Sequence, residues 1–596
     1  MALFTPSESP AIVVKEVDLS GVVSNVQSTT GAIVGKFRWG PVEVATQVDT
    51  ESTLAAIFGT PNDSNAVDFL STAYFLKYSN NLQVVRAIDD DSAGAGGARN
   101  ARYPRRPLKA APLVKNDTNF TTTLANLDSD KQVFIAKHPG ALGNSLKMSI
   151  CVPSGRDSSG TFVLTDSSFS GWAFKSYFDG SPSTSDFAFD RNAKNDEIHL
   201  VVVDEDGLIS GTRGTVLETF PFLSVGTNAK LADGTTNYVK DVINKKSNYI
   251  RMASFGTTGS LFDSAVGTTI DSGDNFHSTV VGDAIITFSM DSGNDGAALT
   301  TGDYLAGNAL LADKDTITVD FLIAPGISNA TDHVTVVNDL ISIATARKDC
   351  VVVASPDRTS VVDNASEDIV DDTLVTTFGY TNSSYVFADN NYLKVYDKYN
   401  DKYVFIPAAS STAGLMAATD TNAAPWFSPA GSRRGAYLGI TGLAYTPSKA
   451  QRDTLYKASV NPIANIPGQG VLLFGDKTGL LRPSAFDRIN VRRLFLVVER
   501  AIALAARNVL FEFNDEFTRA EFVNIIEPFL REIQGRRGIT DFRVVCDETN
   551  NTPAVVDRNE FIATVFIKPA RSINYVTLNF VAVRTGVDFE EIAGTV

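Results

Sequence analysis

The sequence predicts a multidomain protein of mixed α/β (α+β) class, and three observations carry that prediction. The chain is 596 residues long, enough for about four domains of ordinary size. Strand-length apolar runs alternate with stretches of helical periodicity in two separate regions, near residues 31–89 and 317–354. Turn-rich, β-prone segments lie between them and read as insertions.

The elements follow in chain order. Residues 1–20 form an N-terminal arm in which Pro6 and Pro10 oppose a helix. Within it residues 11–17, carrying Ile12, Val13, Val14 and Val17, are strand-like. Residues 21–112 are a first α/β segment. It holds a strand at 32–34, a short helix at 53–58 stopped by Gly59 and Pro61, and a buried strand at 82–88. Its second helix, capped by Asp63 or Ser64, places Val67, Leu70, Tyr74 and Tyr78 at helical spacing. Residues 113–195 are predicted as a β-rich inserted domain, and 196–252 as a continuation of the first α/β domain through the apolar run 198–203. Residues 253–310, rich in Gly, Ser, Thr and Asp, read as a polar surface insertion. A middle α/β domain spans 311–473, where strand 317–323, helix 333–347 and strand 350–354 make a βαβ unit. Residues 474–596 form a C-terminal α/β domain with a terminal strand arm. Its helix 492–511 has an apolar stripe on Phe495, Val498, Ile502 and Ala505, and its helix 518–534 is kinked at Pro528. Strands at 542–546, 561–567 and 573–583 complete it. Because α/β character resumes after polar insertions, the body is expected to consist of domains made from discontinuous segments.

Composition excludes several classes. Hydrophobic residues make up 43% and charged residues 20%, which is globular rather than disordered. A net charge of −16 opposes general binding to nucleic acid or to anionic membrane, which needs clustered Lys and Arg. The most apolar helical stretch, 494–506, is interrupted by Glu499 and Arg500, so no membrane span is expected. The opening Met1-Ala2-Leu3-Phe4-Thr5-Pro6 is not a secretory signal. Three widely spaced cysteines, Cys151, Cys350 and Cys546, suit a reducing cytoplasm rather than a disulfide framework.

Chemical motifs fail one by one. The four histidines, His138, His199, His277 and His333, stand at no metal-ligand spacing from one another or from a cysteine. Gly31-Ala32-Ile33-Val34-Gly35-Lys36 is one residue short of a phosphate loop and continues into Phe37. The run 470–475 has the right gap, but Asp476 stands where a lysine is needed. Asp291-Ser292-Gly293-Asn294-Asp295-Gly296 lacks the third and twelfth ligands of a calcium loop and reads as a polar turn. No G-x-S-x-G elbow occurs. No catalytic residue, metal site or cofactor is therefore expected.

Several segments resemble one family. Gly35-Lys36-Phe37-Arg38-Trp39-Gly40-Pro41, residues 54–61, and residues 69–89 around Lys77-Tyr78-Ser79-Asn80-Asn81-Leu82 look like the N-terminal part of myovirus tail sheath proteins. His138-Pro139-Gly140-Ala141-Leu142-Gly143-Asn144 and Val203-Asp204-Glu205-Asp206-Gly207 are similar to further sheath segments. The strongest likeness is C-terminal: Ile489-Asn490-Val491-Arg492-Arg493-Leu494, Phe511-Glu512-Phe513-Asn514-Asp515, 535–546 and 574–588 resemble the sheath C-terminal domain. The resemblance implies a structural subunit that polymerises as stacked hexameric rings around a tail tube and contracts to drive the tube through the host envelope. Implied partners are other copies of the chain, the tube protein, and baseplate and terminator proteins. The family's middle region is sometimes called subtilisin-like by fold, but no Ser/His/Asp set can be carried over here.

The residues themselves suggest where assembly would act. Strands at chain ends can complete a neighbour's sheet, so 11–17 and Tyr575, Thr577, Asn579, Val581 and Val583 within 574–588 are the inter-subunit candidates; pairing within the subunit is the alternative. From 482 to 543 there are eleven Arg, no Lys and nine acidic residues. Arg519, Glu521, Arg531, Glu532, Arg536 and Arg537 surround an apolar stripe and are candidates for a tube-facing helix, against the alternative of an ordinary solvated face. Other readings of the whole chain are the sheath of a bacterial secretion or bacteriocin-like machine, a cytoplasmic α/β hydrolase, and a phage adhesin.

Overall fold

A computed structural model of the chain describes residues 28–90, 97–103, 111–129, 133–152, 155–156, 162–163, 166–253, 267–276, 285–362, 364–365 and 369–573. The N-terminal strand candidate 11–17 and the C-terminal candidate 574–588 lie outside the described residues. The chain divides into two units. The larger holds residues 26–425 and 429–500, the smaller 1–25, 426–428 and 501–596.

The larger unit is organised on a six-stranded sheet whose strands come from two distant stretches of chain. Its order is Val386–Ala388, Val351–Ala354, Phe321–Ile323, Gly31–Lys36, Leu82–Ala87, Ala45–Val48. All pairs are parallel except the last. Both faces are covered, which is why the strands read as unbroken apolar runs. Ile33, Phe321, Ile323, Val351 and Val353 face one core, with helices Ala66–Phe75 and Ala409–Asn422. Ala32, Val34, Leu322, Val352 and Ala354 face the other, with helices Thr301–Ala309 and Ala330–Arg347. The strand expected at 317–323 shortens to Phe321–Ile323, because Asp313 turns the preceding backbone by accepting from Asp315 N at 2.9 Å and Thr316 Oγ1 at 2.9 Å. The helix after residue 64 is entered from Asn65, not capped by Asp63 or Ser64; the Asn65 side-chain Oδ1 accepts from Asn62 N at 2.7 Å and braces the turn.

The inserted region is antiparallel. Strands Ile285–Ser289, Leu146–Cys151, Glu197–Asp204 and Thr215–Ser224 pair in that order. Two expectations are corrected here. Residues 196–252 do not continue the first α/β domain, since strand Glu197–Asp204 pairs inside the insertion. The run 198–203 is continuously apolar for another reason. Leu200 and Val202 face one core, while Val201 and Val203 are covered by Trp172 with Phe169, Phe174 and Phe178. The described part of 253–310 is no surface decoration either. Ile270, Phe276, Phe288 and Met290 join the insertion core. Helix Thr301–Ala309 presses on the parallel sheet so closely that a Cβ at Gly307 would stand 2.5 Å from Val34. Its polar composition serves a capping box on Thr300 and Asp303 and this close approach, not solvent exposure.

The neck between sheet and insertion is held by Arg86. Its guanidinium is fully buried and donates to the carbonyls of Phe37 at 2.9 Å, Gly40 at 2.8 Å and Pro139 at 2.7 Å. Burial pushes its pKa down to about 9, with the nearby Asp295 charge opposing. The calcium-like turn is part of this neck. Gly293 and Asn144 exchange hydrogen bonds at 2.8 and 3.0 Å, and Asp295 accepts from Ala141 N at 2.7 Å.

In the smaller unit, helix Glu516–Gly535 packs on the antiparallel pair Ile539–Val545 and Thr564–Pro569. Pro528 sits inside the helix, which runs unbroken from Glu516 to Gly535. The helix Ile489–Ala506, expected at 492–511, ends earlier in a 3-10 turn, Arg507–Val509. Strands expected at 542–546 and 561–567 are shifted to Ile539–Val545 and Thr564–Pro569. Residues 571–573 form no strand.

Candidate assembly surface

Arginines in the C-terminal region divide by environment. Along helix Ile489–Ala506 and the residue before it, four of them bind within the larger unit. Arg488 pairs with Asp476 at 2.8 Å and donates to the Tyr456 hydroxyl at 2.5 Å. Arg492 donates to Ser384 Oγ at 2.7 and 3.1 Å and lies over the rings of Phe486 and Tyr385. Arg493 pairs with Asp420, both almost wholly buried, and Asp420 also accepts from Ser28 Oγ at 2.7 Å. Arg500 pairs with Asp320 at 2.6 Å, and Asp320 accepts from Thr30 N at 2.9 Å. Burial pushes the Asp420 carboxyl up to about 6, with Arg493 opposing, and raises Asp320 in the same way. These pairs fasten the helix where the chain enters from Ser28. Sequence reading saw the arginine enrichment but not this ladder; the spacing 488, 492, 493, 500 along one helix was the available signal.

The smaller unit shows the opposite. Asp515 caps helix Glu516–Gly535 by accepting from Thr518 N at 2.8 Å. Phe522, Ile526, Leu530 and Ile533 recur every three to four residues and are buried, with Phe522 edge-on to Phe561 at 5.3 Å. Past the helix, Trp426 Nε1 donates to the Arg536 carbonyl at 3.1 Å, and the Arg536 guanidinium lies 5.1 Å from the indole centroid. Gly538 fits there because a Cβ would stand 2.6 Å from Ile533 and 3.0 Å from the Trp426 ring. Of the six tube-facing candidates, Glu521, Arg531, Glu532, Arg536 and Arg537 are exposed. Arg519 is corrected: it is buried, donating to Asn514 Oδ1 at 2.9 Å, because it stands on the same helix stripe as Phe522 and Ile526. Two of the exposed members make pairs one turn away on the helix, Arg531 with Glu527 at 3.1 Å and Arg536 with Glu532 at 3.6 Å.

Several of the residues weighed for chemistry can be placed in the fold. The phosphate-loop lookalikes are strands: Gly31–Lys36 lies inside the parallel sheet and Gly470–Leu473 in a hairpin. Asp476, at the second, is taken by Arg488. His333 is buried, its Nε2 against Ser355 O at 2.8 Å and the Tyr380 hydroxyl at 2.9 Å, and burial lowers its pKa. His199 stacks on Phe178 with ring centroids 4.4 Å apart. His277 lies outside the described residues. Among the described residues no cluster of His, Cys, Asp or Glu could hold a metal ion.

Comparison with known proteins assigns the chain to a family. Residues 28–87 match the tail sheath protein Gp18 domain III N-terminal region, 297–479 the phage tail sheath protein central domain, and 482–582 the phage tail sheath C-terminal domain. The tail sheath protein of Enterobacteria phage T4 is 32% identical, over 98% of this chain and 99% of that protein. That of Vibrio phage KVP40 is 31% identical over the same shares. This chain belongs to the phage tail sheath protein family. It is therefore a virion structural protein of a contractile tail, and its fold agrees. Crystal structures of sheath tail proteins from Listeria innocua and Desulfitobacterium hafniense, each 12% identical, superpose with TM-scores of 0.50 over 92% and 94% of this sheath chain and 97% and 100% of theirs.

Proposed function

We propose that the chain polymerises as stacked hexameric rings around a tail tube and contracts to drive the tube through the host envelope. Baseplate and tail terminator proteins would bound the polymer, which would be built in the host cytoplasm. The reading assigns it no enzymatic activity, no cofactor, no nucleic-acid partner and no insertion into the membrane. No described helix is long and apolar enough to cross a membrane.

The observation that carries the assembly reading is the C-terminal sheet. Among the described residues it has two strands, Ile539–Val545 and Thr564–Pro569, with Phe566 and Ile573 exposed beside them. A two-stranded ribbon is marginal alone and its edges are open templates. Added strands would supply what it lacks, and the strand-forming ends, with Ile12, Val13, Val14 and Val17 or with Tyr575, Thr577, Asn579, Val581 and Val583, are the proposed donors to a neighbouring copy. The exposed Glu521, Arg531, Glu532, Arg536 and Arg537 remain the proposed tube-facing group, the arginines among them serving either the tube or a neighbouring copy. Electron microscopy of the purified chain tests this. The full-length protein should form hollow tubes, and deletion of residues 1–20 should leave a folded protein that forms none. Normal tubes from the deletion would remove the N-terminal arm from the mechanism. Deleting 253–310 is not a neutral control, since it would remove strand Ile285–Ser289 and helix Thr301–Ala309 from two cores.

A further inference from the structure

We propose that the segment 510–517, ahead of helix Glu516–Gly535, is a docking surface for the arginine-rich far end of that helix in a second copy of the chain. Leu510, Phe511, Phe513 and Phe517 are 62%, 105%, 83% and 77% exposed. The domain can bury a phenyl ring when it serves the fold, as Phe522 at 3% shows. Four large apolar residues within eight, none covered, mark an interaction surface rather than scattered exposure. Phe511 also sits at φ 72°, a left-handed backbone that an aromatic residue adopts only under strain. Strain held at a fully exposed ring points to a role outside its own domain.

Charge selects the occupant. Glu512, Asp515 and Glu516 lie in the same stretch, and 508–518 contains no Lys or Arg. At the other end Arg531, Arg536 and Arg537 are exposed. The helix has 20 residues and so spans about 30 Å, which keeps its two ends apart within one domain. The helix dipole accounts for acids at the start and arginines at the end, but not for the phenyl rings. Guanidinium groups match both features of the segment, pairing with carboxylates and stacking on aromatic faces. Arg536 already stacks on Trp426 in this way. Its pair with Glu532 and that of Arg531 with Glu527 are exposed, hence easily exchanged. The two patches differ, so the contact is head-to-tail and propagates instead of closing as a symmetric dimer.

The inference rests on the self-assembling reading above, and a charge swap separates the two. Glu512→Arg with Glu516→Arg, or Arg536→Glu with Arg537→Glu, should each raise the protein concentration needed for tubes by about tenfold or more. Combining all four should restore assembly towards wild type. Phe511→Ser with Phe513→Ser and Phe517→Ser should abolish tubes while circular dichroism and the melting temperature show a folded chain. If the wild type forms no tubes, the assembly reading fails and this contact with it. If the wild type assembles but the combined variant is no better than the single reversals, this contact alone is overturned. Variants that form tubes normally yet lose binding to a tail tube would place the segment on the tube and overturn it as well.

Discussion

The two runs of arginine on either side of residue 501 have similar sequence character and opposite physical standing. On helix Ile489–Ala506, Arg493 and Arg500 reach buried aspartates in the larger unit. On helix Glu516–Gly535, Arg531 pairs at the surface with a carboxylate one turn away. A buried pair is specific because removing one partner strands the other charge in a poor dielectric, whereas an exposed pair exchanges freely with water. The first run therefore serves cohesion, whereas the exposed members of the second hold only weakly to carboxylates on their own helix.

The largest effect should come from breaking a buried pair. Arg493→Ala leaves Asp420 with Ser28 among the described residues and should cost about 3–5 kcal/mol in urea denaturation. Replacing both, Arg493→Met with Asp420→Leu, should recover most of that loss. A cost below about 1 kcal/mol for the single variant would erase the contrast between the two runs.

Arg86→Met should follow, at about 3 kcal/mol, since the carbonyls of Phe37, Gly40 and Pro139 would lose a shared donor. Limited proteolysis should then cut the neck near Gly140 before the parallel sheet opens. Simultaneous loss of both regions would show that the neck is not a separate joint.

A pH-dependent effect belongs to Asp389. This fully buried carboxyl is raised to about 7 by desolvation, with Ser355 and Thr412 opposing. Its folded pKa lies above the unfolded value near 4, so the fold holds an extra proton between them. The stability it contributes is complete below about pH 4 and is lost as pH rises through 7. Asp389→Asn should flatten stability across that window; an unchanged slope would show that the group does not titrate there. Least of all, Arg531→Ala should change stability by under about 0.5 kcal/mol, the scale of an exposed i,i+4 pair.

Legibility differed between regions for physical reasons. Helix Ala330–Arg347, strand Val351–Ala354 and helix Glu516–Gly535 were readable within two or three residues, because periodicity and caps are local. The apolar run 198–203 was readable as a strand but not as part of the insertion, since aromatic cover from 169–178 hid its alternation. Helix Thr301–Ala309 was lost in a polar composition that serves a cap and a close approach. Arg519 looked like its exposed neighbours, and only its place on the Phe522 stripe distinguishes it.

What the amino-acid sequence determined alone was the more periodic elements, the lack of any recognisable catalytic motif, and the sheath family, legible in short motifs from Gly35 to Asp515. Tertiary structure decided which elements belong together. Gly31–Lys36 takes one sheet partner from residue 321 onward, Leu146–Cys151 takes one of its own from residue 285, and Arg493 finds Asp420 73 residues earlier in the chain. A strand's apolar pattern reports that both faces are buried, and an arginine reports a charge. Neither carries the address of its partner, because backbone hydrogen bonds and ion pairs are the same chemistry at every sequence separation.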